Sequence, residues 1–185
     1  NASAGGLIGN ISSSTIAAQV YASGNVTATG GSLQVLLPTS RAGGLIGGAA
    51  SALTLNNAYA TGNVRVEASS ATSSNPSPNP NMRAGGLIGD ISGASTAVTI
   101  TSVFASGAVS VGASTAVRST GGLVGAISNN TNVVKQIANA YWDDSQTGQT
   151  SAVGATTGPG AAAVSVSDTK AAIGTVGTLF PNLNQ

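Results

Sequence analysis

The chemistry open to this chain is narrow, because it has no Cys, no His and five carboxylates, at Glu67, Asp90, Asp143, Asp144 and Asp168. Acid–base work on a glycosidic or similar bond needs two carboxyl groups, or an acid with a basic partner, converging on one point. Asp143 and Asp144 are neighbours, so on a strand they would face opposite sides. They read instead as a turn, which Asp favours. Asp90 stands where a similar segment carries Asn10, and reads as an outward polar position. No catalytic set emerges, so the chain is read as a non-enzyme. Without His, Cys or clustered acids, no metal site and no cofactor are assigned. Calcium-binding nonapeptides are absent as well.

The basic residues raise a different chemistry. Arg41, Arg83 and Arg118 each precede a double glycine by two or three residues. Aligned, they would form a basic stripe able to grip an anionic glycan or surface. Against that stands the plainer reading of isolated charges at loop ends, since repeated like charges repel without a partner. A net charge of +1 gives no nucleic-acid footprint. No apolar run reaches the length of about 18 residues that spans a membrane, so no membrane insertion by this segment is expected.

What must position any such residue is a repeat. Gly-Gly-Leu-Ile-Gly occurs at Gly5–Gly9, Gly43–Gly47 and Gly85–Gly89, and Gly-Gly-Leu-Val-Gly at Gly121–Gly125. Successive copies start 38, 42 and 36 residues apart. Units of this size cannot bury an apolar face alone and must stack on one another. The regular Leu, Ile and Val positions argue against a disordered Gly/Ser polymer. Charged residues make up 6% of the chain, as expected where each side chain meets its own kind in the next unit and like charges would repel.

Within each unit, period-2 spacing predicts strands. Leu7, Gly9 and Ile11 are expected to point one way and Ile8, Asn10 and Ser12 the other. The double glycine is expected to turn the chain through positive φ. Leu55, Asn57 and Tyr59 are expected to share one face, like Ile100, Ser102 and Phe104, and Ile137, Asn139 and Tyr141. Stacked in parallel, Tyr21, Tyr59, Phe104 and Tyr141 would form an aromatic column, and Asn57, Ser102 and Asn139 a polar ladder. The column Ile8, Ile46, Ile88 and Val124 either faces outward as a lateral apolar contact or is turned inward by the glycine corner, the reading the sequence favours. The second unit is weaker, with Gly48-Ala49-Ala50 after its motif.

The predicted fold is all-β, a parallel β-helix or β-solenoid of about four imperfect repeats with projecting loops. Its repeats occupy residues 1–144, and a non-repeating C-terminal cap 145–185. A period near forty leaves one coil or two per repeat open, with one favoured. Ser69–Met82 is expected to project as a loop, because alternate prolines cannot serve a central ladder. Its Asn75, Pro76, Pro78, Asn79 and Pro80 are the candidate ligand-contact residues. Shorter excursions are expected around Gly30–Ser40 and Gly112–Ser119, and a short helix capped by Ser167 in the tail. The chain opens directly into its first repeat and reads as a piece of a longer array.

The Gly-Gly-Leu-Ile/Val-Gly block followed by Tyr-Ala-Ser/Thr-Gly-Asn-Val resembles the GLUG repeat of large bacterial exoproteins, including filamentous-haemagglutinin-like adhesins. The run Ala140-Tyr141-Trp142-Asp143-Asp144-Ser145-Gln146-Thr147-Gly148 is similar to the segment that closes such arrays. The resemblance implies a secreted or cell-surface bacterial protein, exported and outer-membrane attached or released. In it this chain would act as a stiff stalk that presents binding loops to a host or matrix glycan or protein. The alternative is a self-associating filament or biofilm-matrix subunit.

Overall fold

Each of the first three repeats folds into four strands, three short and one long. In the computed structural model, which describes residues 2–30, 39–68, 81–92, 96–112, 117–128, 135–158 and 164–170, the first coil is β1 (Ala2–Gly5), β2 (Ile8–Ile11), β3 (Thr15–Ala22) and β4 (Val26–Gly30). The second is β5 (Thr39–Gly43), β6 (Ile46–Ala49), β7 (Leu53–Ala60) and β8 (Val64–Ala68). The third is β9 (Asn81–Gly85), β10 (Ile88–Ile91), β11 (Val98–Ala105) and β12 (Val109–Val111). The fourth has β13 (Val117–Gly121), β14 (Val124–Ser128) and β15 (Lys135–Trp142), then the helical turn α1 (Asp144–Thr147). β16 (Val153–Thr157) and β17 (Val164–Lys170) follow.

Every strand pairs in parallel with its counterpart one repeat away, so a repeat is one coil. Sheet A runs β1-β5-β9-β13, sheet B β2-β6-β10-β14-β16, sheet C β3-β7-β11-β15-β17 and sheet D β4-β8-β12. Like stacks on like: Tyr21 meets Tyr59, Tyr59 meets Phe104, and Phe104 meets Tyr141. Asn63 likewise binds its neighbours through the amide, its N–H donating to Asn25 Oδ1 (2.9 Å) and its own Oδ1 accepting from Ala108 N–H (3.0 Å).

Two hydrophobic cores run along the stack. Sheets B and C enclose the larger one, with Leu45, Ile46, Leu53, Leu55, Leu87, Ile88, Ile100, Leu123 and Ile137 among its members. Sheets A and D enclose the smaller one, built on Val26, Ala42, Val64, Val66, Met82 and Ala84. Sheets A and B meet through their backbones. A Cβ added at Gly89 would lie 2.5 Å from Gly47 O and 2.7 Å from Ala42 N and O. Each coil is thus an arch within an arch: A folds tightly back on B at the Gly-Gly corner, and C and D wrap around that hairpin. Buried side-chain columns of this kind each contribute about 25 cal/mol per Å² of apolar area removed from water.

Several expectations are corrected here. The corner glycines do not use positive φ: among described glycines only Gly148 and Gly158 have it. Close approach of A to B is what excludes a side chain. The corner also turns both apolar residues inward, so Leu45 and Ile46 are both buried, as are Leu87 with Ile88 and Leu123 with Val124. In sheet C the alternation breaks at Gln19, Asn57, Ser102 and Asn139, which have φ of 54°, 50°, 54° and 49°. This left-handed step, which Asn tolerates best, inserts an extra residue. Leu55 and Ala58 are both buried while Asn57 is exposed and Tyr59 half-buried. Asn57 and Tyr59 therefore do not share Leu55's face.

The end of the array also differs from its prediction. The stack continues past Asp144, since β16 adds to sheet B and β17 to sheet C. Val164–Lys170 is a strand in register with β15, not a helix capped by Ser167. Among the described residues sheet A ends at β13 and sheet D already at β12, and α1 follows β15 where a fourth D strand would come. Asp143 caps α1, accepting from Ser145 N–H (3.0 Å) and Gln146 N–H (3.1 Å). Gln149 Nε2 donates to Val109 O on the last D strand (3.0 Å), and Trp142 Nε1 donates to Gln149 O (2.8 Å). Asn81 and Met82 belong to β9, Thr39 and Ser40 to β5, and residues 117–119 to β13 rather than to loops.

Candidate functional site

Three charged residues converge between sheets A and B in the second and third coils. On the face of sheet A toward B, one column reads Ser3, Arg41, Arg83, Ser119. On sheet B, the opposing column reads Asn10, Gly48, Asp90, Ala126. Arg83 Nη1 donates to Asp90 Oδ1. Arg41 Nη1 lies 3.0 Å from Asp90 Oδ2, an ion pair without hydrogen-bond geometry, and donates to Ser92 Oγ at 3.4 Å. Asp90 is fully buried, and the two arginine side chains are 17% and 19% exposed.

This triad explains the weak second repeat. A Cβ on Gly48 would lie 2.6 Å from Arg41 Cδ and 2.8 Å from its Nη1. Glycine there opens the space through which Arg41 reaches Asp90 in the next coil. The triad carries one net positive charge, and the buried carboxylate is what makes two guanidiniums in adjacent coils compatible. Asp90 is therefore not the outward polar position expected from its match to Asn10; its side of β10 faces sheet A rather than water.

The expected basic stripe is two arginines long. Arg118 aligns with Met82, and Ser119 takes the place in line with Arg83. One residue of offset sends alternate side chains to the opposite face, and Arg118 is exposed there. Of the two readings of the apolar column, the inward one that the glycine corner favoured holds: Ile46, Ile88 and Val124 lie in the larger core, and Ile8 packs partly against it. Asn75, Pro76, Pro78, Asn79 and Pro80 lie outside the described residues.

Two further acids have local partners. Glu67 pairs with Arg65 at the exposed surface (2.5 Å), and Asp143 caps α1. Among the described residues no group of three His, Cys, Asp or Glu side chains is placed to hold a metal ion, and no helix is long and apolar enough to cross a membrane.

Lys135 is a buried cation that motif reading missed. It continues the column of Leu53 and Val98 into the fourth coil, and its Nζ donates to Thr96 O at 2.9 Å. Burial pushes its pKa below the usual lysine range. The signal was available: aligning Lys135-Gln136-Ile137 with Val98-Thr99-Ile100 puts the lysine at an apolar position.

The chain matches no family model, and no curated protein or solved structure is similar to it.

Proposed function

We propose that this chain is a non-enzymatic structural segment, a stiff spacer that carries loops, of the kind a secreted or cell-surface bacterial adhesin with GLUG-like repeats would use. The observation that carries this reading is the parallel coil-on-coil pairing of all four sheets, shifted in register only at the bulge where β17 joins β15, with two cores running along the stack. Such a stack resists bending because every backbone ladder and side-chain column would have to shear together. The disposition of the acids supports the absence of catalysis, since Asp90 is locked between two arginines and Asp143 serves a helix cap.

The loops would be the reading surface. Each of the first three D strands is followed in the chain by the next A strand, so these connections start and end along one edge of the stack, and residues 69–80 make the longest of them. The partner class is a host or matrix glycan or protein. A glycan and matrix-protein array, probed with the full chain and with a form in which residues 69–80 are replaced by a short Gly/Ser linker, tests this. Binding by the full chain and none by the shortened one supports it. Absence of binding by both, with circular dichroism unchanged, restricts the segment to a passive spacer. Turnover of a glycan by the purified chain would overturn it.

A further inference from the structure

The first coil presents four sheet edges at once, since β1, β2, β3 and β4 each stand at the end of their sheet. On that edge Gly24 has no steric reason to be glycine within this fold, and Gly9 has a single moderate one. In the coils behind it the same columns demand glycine. Gly47 lies against Gly9 O and Gly89 against Gly47 O, with a Cβ on either reaching 2.5 Å. Gly62 packs on Gly24 O, and Gly107 on Gly62 O. Yet a Cβ on Gly24 would meet nothing within 4 Å, and one on Gly9 only Ser3 O at 3.3 Å. Neither has positive φ.

Two further features of the edge agree. Leu7 is 48% exposed, whereas Leu45, Leu87 and Leu123 in the same column are 0% exposed. The backbone N–H of Asn63 and of Ala108 is met by an Asn side chain from the coil before, and Asn25 occupies that position on the edge.

We propose that the β1–β4 edge is the acceptor for one more coil of this same repeat. That coil would be joined in line through a D-to-A connection and stacked parallel. Its backbone carbonyls would fill the space in front of Gly9 and Gly24, its corner leucine would cover Leu7, and an Asn in its Gly-Asn turn would take the Asn25 N–H. The far end of a second copy does not fit this edge. There, among the described residues, sheet D ends before α1 while sheets B and C run one strand beyond A, a stepped end against a level one. The inference holds whether or not the protein is an adhesin.

The test is an extended chain in which residues 39–80 are fused ahead of residue 1 of the full protein. The added coil should resist protease and slow amide exchange in β1–β4. It should raise Tm by about 4 °C or more. Gly24→Ala is the discriminating substitution: it should leave Tm of the original chain undiminished and cancel the gain in the extended one. Cleavage of the added coil at the rate of an unstructured tail would overturn the proposal. So would an equal effect of Gly24→Ala with and without that coil.

Discussion

The two arches of a coil solve the same packing problem by opposite means. The outer arch, sheets C and D, fills its space with side chains, and columns there accept Tyr or Phe, Leu or Val, even Lys135. The inner arch, sheets A and B, removes side chains at its glycine columns until backbones touch, and Gly47, Gly89 and Gly125 accept nothing else, while the neighbouring column leaves room for the charge triad. Tolerance therefore tracks whether a side chain or its absence does the packing. That is why the glycine block is the most regular text in the sequence while the long strand varies from coil to coil.

The sharpest way to break this contrast is Gly89→Ala. With backbone atoms of Gly47 and Ala42 in the path of the new methyl, a cost of about 4 kcal/mol or more is expected. Urea unfolding should show it as a fall in midpoint or a failure to fold. Phe104→Tyr, an outer-arch change already present at Tyr59 and Tyr141, should fold normally under the same assay. If both variants behaved alike, the contrast would be wrong.

Next in size is Asp90→Ala, which leaves Arg41 and Arg83 facing each other without the carboxylate. About 3 kcal/mol of destabilisation is expected, in line with stranding one side of a buried pair. Replacing all three together, as Arg41→Met, Arg83→Met and Asp90→Leu, should recover most of that loss. A triple variant as unstable as the single one would mean the triad is more than a compensated charge cluster.

Smaller again is Asn63→Ala, which deletes one exposed rung of the amide ladder and leaves Ala108 N–H to water. About 1 kcal/mol is expected, measured against a Thr54→Ala control at an exposed strand position.

The smallest effect is a pH slope. Because burial lowers the Lys135 pKa from 10.5, the unfolded chain holds more protons than the native one between the two values. Stability therefore rises with pH through that window. Lys135→Met should remove this part of the rise, read as the difference in urea midpoint between about pH 8 and about pH 10 for the two proteins.

The glycine block and the recurring Tyr/Phe made the stacking, the parallel register and the aromatic column legible, because each depends only on like meeting like. Facing was harder. Strict alternation placed Tyr59 with Leu55, but the left-handed residue at Asn57 adds a step that no period-2 count contains. Alternation also sent Ile46 outward, whereas the corner turns it in with Leu45. The charge triad was hidden for a related reason. Arg41, Arg83 and Arg118 look alike beside their glycines, and one residue of offset at Arg118 separates them. Asp90 meets the arginines only once sheets A and B are known to touch. The strand at Val164–Lys170 depends on pairing with β15, and its helix-like opening at Ser167 carried no trace of that partner.

The ring of Tyr21 lies on that of Tyr59 with centroids 5.1 Å apart and planes 6° from parallel, while the one Trp of the chain, Trp142, is buried toward the other end of the rod. The molecule thus carries a stacked Tyr pair in its first two coils and a single Trp in its fourth. Coupled transitions of the stacked phenols give a circular-dichroism signal that reports on the first two coils, and Trp142 fluorescence reports on the closure around α1. Heating while recording both would show, without any added label, from which end the rod begins to melt.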